Sequence, residues 1–195
     1  MGSFYVMARM RFDKNTVLEQ ASNIFWRLGY NATSMQIMCD ETALKPGSIY
    51  LAFGNKEGLF KESLDYYTEQ SLAKLESMVS NASSVEQGVR EMLMEFVEEV
   101  DQRHYCSCFL IKSQLELSGQ PELQRYISER LHKIEALYVR FLMAEYSKND
   151  AKAKATSIML HVFGIRVYGY HIDSKEQIIN GLHLGLPWLS WKDLQ

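Results

Sequence analysis

Proline is the residue that most limits where a helix can run, and this 195-residue chain uses it three times, at Pro46, Pro121 and Pro187. Long stretches of Leu, Met, Glu, Lys and Ala lie between, residues that lose little on entering a helix. Proline inside a helix costs about 3 kcal/mol through a lost hydrogen bond and a ring clash. The three positions therefore mark helix boundaries, and the chain reads as all-α. With 47% hydrophobic residues it can bury a core in one large domain or two small ones. No apolar run approaches the ~18 residues a membrane span needs, and no leader is visible. The odd cysteine count (Cys39, Cys106, Cys108) argues against a secreted disulfide scaffold. A cytoplasmic protein with no membrane partner is expected.

Net charge is −3, and residues 1–62 carry seven Lys/Arg against six Asp/Glu. So even a balance makes no basic field, and affinity for nucleic acid has to rest on a motif. From about Lys14 to Leu28, the apolar Val17, Leu18, Ala21, Ile24, Phe25 and Leu28 form one helical stripe. Asp13 is placed to cap it and Gly29 to end it. Thr33 followed three residues later by Gln36 reads as a capping box opening a short helix to about Glu41. Thr42-Ala43-Leu44 makes a turn. Pro46 then suits the first position of another short helix, with Gly47 leaving the surface beside it bare. Ile49 and Phe53, four residues apart, anchor this helix, while Lys45, Ser48, Tyr50 and Ala52 face outward. Asn55 caps the next helix and Lys56 sits in its first turn. A short helix with hydroxyls and one cation outward suits a DNA major groove, the preceding helix crossing the backbone.

The run from Gly29 through Thr33-Ser34, Met38, Ala43-Leu44-Lys45-Pro46-Gly47-Ser48-Ile49-Tyr50, Phe53 and Asn55-Lys56-Glu57 to Leu59-Phe60 resembles the N-terminal domain of TetR-family transcriptional regulators. The resemblance covers roughly residues 14–65. It implies a helix-turn-helix DNA-binding domain over 1–55 and a larger helical domain over 56–195 that dimerises and binds a small molecule. It further implies that Thr33, Lys45, Tyr50 and Lys56 contact phosphates, and that Ser34, Gln36, Pro46, Gly47 and Ser48 lie at or near bases. Two departures stand out: Thr42-Ala43 where the family usually has Ala-Gly, and Lys45 where it usually has Ser or Thr. The partners expected are a palindromic double-stranded operator, a second copy of the chain and a small-molecule effector, with repression relieved by that effector.

Beyond the motif, helices are expected from Val85 to about Arg103 (capped by Ser84), Phe109 to Ser118, Pro121 to Tyr146 and Asp150 to Tyr170. The last runs from Ser174, with Gln177 as capping-box partner, to Leu186. Ile158, Val162, Ile165, Ile178, Leu182 and Leu186 on the final two helices are expected to form the dimer seam, with Gly164, Gly169, Gly181 and Gly185 permitting close approach. Met92, Phe96, Phe109, Gln114, Tyr138, Phe141, His161 and Phe163 mix aromatic and polar groups as ligand pockets do, and are the expected effector site.

His104-x-Cys106-x-Cys108 offers an alternative, a thiol- or metal-sensing regulator, although no complete set of zinc ligands is evident and no metal or other cofactor is expected. A helical adaptor that binds no DNA is a further alternative. A thiol enzyme leaves the 45–60 stretch unexplained, and no Ser/His/Asp order, phosphate loop or HExxH supports a reaction. The chain is expected not to be an enzyme.

Overall fold

The computed structural model describes residues 12–102 and 105–191. Nine helices occur among the described residues: α1 (Lys14–Leu28), α2 (Met35–Thr42), α3 (Pro46–Phe53), α4 (Lys56–Asn81), α5 (Val85–Val100), α6 (Phe109–Glu116), α7 (Pro121–Leu142), α8 (Lys148–Tyr168) and α9 (Lys175–Gly185). No strand is present among them, and none of the helices is long and apolar enough to cross a membrane. Pro46 and Pro121 each occupy the first turn of a helix, and Pro187 follows the end of α9.

The chain divides into two compact units, one up to Tyr67 and one from Thr68. In the first, α1 buries Val17, Leu18, Ala21, Ile24 and Phe25 against Met38 and Cys39 of α2, Ile49 and Phe53 of α3, and Leu59, Phe60 and Leu64 of α4. Phe25 meets Phe60 edge-on at 5.0 Å, and Tyr30 closes over Phe60 at 4.7 Å, a geometry that adds to the area buried. The buried Ser22 hydroxyl donates to the Ser63 carbonyl at 3.1 Å, tying α1 to α4.

Helix ends follow from local chemistry. Asp13 accepts from the Asn15 and Thr16 amides at the start of α1. Gly29 takes φ 87° just past its end, a conformation that costs glycine nothing. Asn55 accepts from the Gly58 amide at 2.8 Å and so caps α4. At α2 the expected cap is displaced by one residue: Ser34, not Thr33, accepts from the Ile37 amide at 3.1 Å. Thr33 is buried instead, its hydroxyl donating to the Gly29 carbonyl at 2.6 Å, and Gln36 reaches forward to Asp40 at 2.8 Å.

In the second unit, α7 and α8 pack along their lengths and α5, α6 and α9 close over them. A Cβ on Gly88 would lie 2.8 Å from the Val79 Cα, so only glycine lets α5 leave α4 so tightly. Helix α7 stops at Leu142, short of Tyr146, and α8 starts at Lys148, where Ser147 accepts from the Asp150 amide at 3.3 Å. Ser174 precedes α9 without making a side-chain cap bond. The capping box expected there does not form.

Candidate nucleic-acid interface

Four helix starts lie within the first unit, and those of α2, α3 and α4 follow one another closely along the chain, each leaving backbone N–H groups without intrahelical partners. Such groups, with the positive end of the helix dipole, hold anionic oxygens. At the α2 start, Ser34 and Gln36 are exposed and Thr33 is not. Only 1% of Thr33 is accessible, so its side chain is not presented for the phosphate contact expected of it.

The chain then turns through Ala43, which adopts the left-handed conformation at φ 55° and ψ 21°. Lys45 stands before α3 with extended backbone and an exposed side chain that makes no cap bond. Pro46 follows, and a Cβ on Gly47 would meet nothing within 4 Å. Ile49 and Phe53 are buried as expected, and the exposed members of α3 are Pro46, Gly47, Tyr50 and Leu51. Ser48 and Ala52 are half-buried. Leu51, 72% exposed, belongs to none of the groups expected at the interface; its place midway between the anchors Ile49 and Phe53, opposite them on a helix, is the signal that singles it out. At the α4 start, the Lys56 ammonium stands 4.4 Å over the Tyr30 ring, a cation–π contact that orients its long side chain.

The family of bacterial regulatory proteins designated tetR matches residues 17–63, which span α1, α2, α3 and the first turns of α4. That stretch is a TetR-type DNA-binding domain. Over 149 residues it is 26% identical to an uncharacterised helix-turn-helix regulator, YezE of Bacillus subtilis strain 168, covering 75% of this chain and 77% of that one. The repressor ComR of Escherichia coli K12 is 40% identical over 68 residues, 35% of this chain and 32% of its own. Among solved structures, a cysteine-substituted form of the TetR-family regulator CifR, in complex with 26-bp double-stranded operator DNA, superposes with TM-score 0.77 at 25% identity, covering 92% of this chain and 97% of that one. The chain is a DNA-binding transcriptional regulator of TetR type.

In its second unit, the residues expected to hold an effector are scattered. Met92, Phe109 and Tyr138 are buried, and the Tyr138 hydroxyl donates to the Met92 sulfur at 2.8 Å; burial pushes that phenol above its ordinary range. Gln114 donates to Ser128 at 3.2 Å. Phe96 carries the Arg166 guanidinium 4.0 Å above its ring, and Arg166 pairs with Glu99. Phe141 and Phe163 are half-buried. His161 lies apart, in an apolar groove of about 440 Å³ lined also by Leu160, Gly164, Ile165, Tyr168 and Gly181.

That groove runs between α8 and α9, the pair expected to form the dimer seam. The six seam residues named from the sequence, Ile158, Val162, Ile165, Ile178, Leu182 and Leu186, are at most 8% exposed in the single chain. They complete its own core. What the two helices leave open is a different apolar set: Leu160, Val167, Tyr168 and Leu184, 69%, 46%, 47% and 84% exposed. The bare positions Gly164 and Gly181, where an added Cβ would meet nothing within 4 Å, lie among them.

Cys106 and Cys108 are half-buried on the segment before α6, and His104 lies outside the described residues. Burial pushes the Cys106 thiol above its ordinary range, which works against the thiolate that reacts or binds metal. Among the described residues no group of three or more His, Cys, Asp or Glu is placed to hold a metal ion.

Proposed function

We propose that this regulator acts as a two-fold dimer on a palindromic operator, blocking transcription until a small molecule releases it. The observation that carries the reading is the outward side of α3, anchored from behind by Ile49 and Phe53 and flanked by Lys45 and Lys56 at two helix starts. A helix so held offers its outer side to a major groove, while the flanking cations and amides take phosphates. Within this reading Lys45, Tyr50 and Lys56 contact the backbone, and Ser34, Gln36, Pro46, Gly47 and Ser48 lie at or near base edges. Thr33 acts through its main chain and by holding the α2 start.

The open apolar set on α8 and α9 supports the dimer. Leu160, Val167, Tyr168 and Leu184 are large apolar groups left to solvent on neighbouring helices, and self-complementary burial of one such patch is what a two-fold interface requires. Residues 1–55, with Lys56 at the head of α4, then serve DNA, and the rest of the chain serves pairing and effector. Effector binding in the second unit shifts the spacing of the two α3 helices through α4, which contributes residues to both units. Couplings of this kind are about 1–3 kcal/mol, or 5–150-fold in affinity.

Selection of bound fragments from genomic DNA by the purified protein tests the reading. A palindrome whose half-sites are about one helical turn apart is expected, bound more weakly as salt rises. A folded dimer that enriches no fragment would leave the adaptor reading in its place.

A further inference from the structure

We propose that Leu51 reads the 5-methyl group of a thymine in each half-site, an inference that rests on the DNA-binding reading above. Helix α3 is anchored by Ile49 and Phe53, 0% and 6% exposed. At about 100° per residue, Leu51 falls about 180° round the helix from the midpoint of those two anchors. It is the most exposed large hydrophobic residue described in the first unit, at 72%. Gly47 lies one turn earlier on the same side, and Gly54 three residues later. An added Cβ at either would meet nothing within 4 Å. The crown of α3 is therefore a single isobutyl group between two bare positions.

The eight residues of α3 span about 12 Å, close to the width of the major groove, about 12 Å. With no side chain at Gly47 to hold the helix off, Leu51 near its middle reaches the base edges. It has no donor or acceptor to offer them. Against N7, O6, N4 or N6 groups it would strip water without replacing the hydrogen bond, which is costly. The one apolar group on the groove floor is the thymine C5 methyl. Lone exposed leucines are common on protein surfaces, so the contact has to be tested at that methyl.

The full-length protein is first used to select duplexes from a random pool. Each thymine of the selected site is then replaced by deoxyuridine, which removes the methyl and leaves the pairing edge unchanged. Burial of one methyl group corresponds to about fourfold in an equilibrium constant. Deoxyuridine at one symmetry-related thymine is expected to weaken wild-type binding about fourfold per half-site. Leu51→Ala is expected to bind the thymine and uracil duplexes equally, and Leu51→Met to keep the preference. Alanine at an exposed helical site favours the fold, so loss of discrimination reports the contact. Wild-type binding indifferent to every methyl, or a preference that persists unchanged in Leu51→Ala, overturns the role of Leu51 while leaving DNA binding standing. Failure of the wild type to enrich any duplex overturns the DNA-binding reading, and the role of Leu51 with it.

Discussion

Ala43 is an exposed alanine in the left-handed conformation, φ 55° and ψ 21°, at the turn between α2 and α3. Replacing it with glycine removes a methyl group and should stabilise the protein, against the usual trend. The left-handed region costs a residue with a Cβ about 1–2 kcal/mol. Glycine's wider freedom in the unfolded chain takes back about 0.5–1 kcal/mol. The difference favours Ala43→Gly by roughly 0.5 kcal/mol. The control is Ala153→Gly, the same chemical change at an exposed position inside α8, which should cost about 1 kcal/mol. Urea unfolding separates the two by sign: with slopes of about 1–3 kcal/mol per molar, the Ala43→Gly midpoint should rise by roughly 0.2–0.5 M and the Ala153→Gly midpoint should fall. Amide hydrogen exchange in α2–α3 and in α8 reads each change in its own unit. If Ala43→Gly falls as Ala153→Gly does, the backbone strain assigned to this turn is not there.

Glu99→Gln removes the carboxylate paired with the Arg166 guanidinium, whose side chain is 7% exposed, and should cost about 3 kcal/mol in urea unfolding; a loss below about 1 kcal/mol would mean that water or another group takes over the pairing. Lys45→Ala should lower the slope of log affinity against log salt by about 1 per half-site while leaving the selected sequence unchanged, and an altered base preference would place Lys45 at a base instead. Burial, and then the hydrogen bond to Glu86, push the Tyr146 phenol up from 10.0 to about 12. Because the folded value is the higher one, its stabilisation is complete below the ordinary phenol range and disappears as pH rises through about 12. Alkaline titration followed by ultraviolet difference absorbance should show a phenol titrating near 12 that Tyr146→Phe removes, while other raised phenols such as the buried Tyr138 persist.

Helix α1 was legible to the residue because its signals are local: Asp13 bonds amides two and three residues on, and Gly29 supplies the positive φ. Pro46 and Pro121 marked two further starts in the same way. The sequence places the α2 cap one residue early because Thr33 and Ser34 both carry hydroxyls. Which of them caps is decided by tertiary burial of Thr33 against the Gly29 carbonyl. Periodicity also could not say which apolar stripe of α8 and α9 meets the chain's own core and which meets solvent. Ile158 and Leu160 are equally hydrophobic, yet one is 0% and the other 69% exposed. For the expected effector residues, composition could not foresee that Gln114 would bond Ser128 or that Tyr138 would bond Met92. Leu51 is hard to single out because an apolar residue on a short helix reads as an anchor unless its angle to Ile49 and Phe53 is weighed.

The two-residue anchoring of α3 has a consequence for how such a regulator diverges. Ile49 and Phe53 hold the helix from one side, while Gly47, Tyr50 and Leu51 on the other are exposed. Substitutions on the exposed side remove little packing and, away from special features, shift stability by no more than about 0.5 kcal/mol. A duplicated copy can thus drift in target preference without passing through an unfolded intermediate. The same separation makes residues 47, 50 and 51 a library of three positions in which new targets can be sought while the fold is left alone.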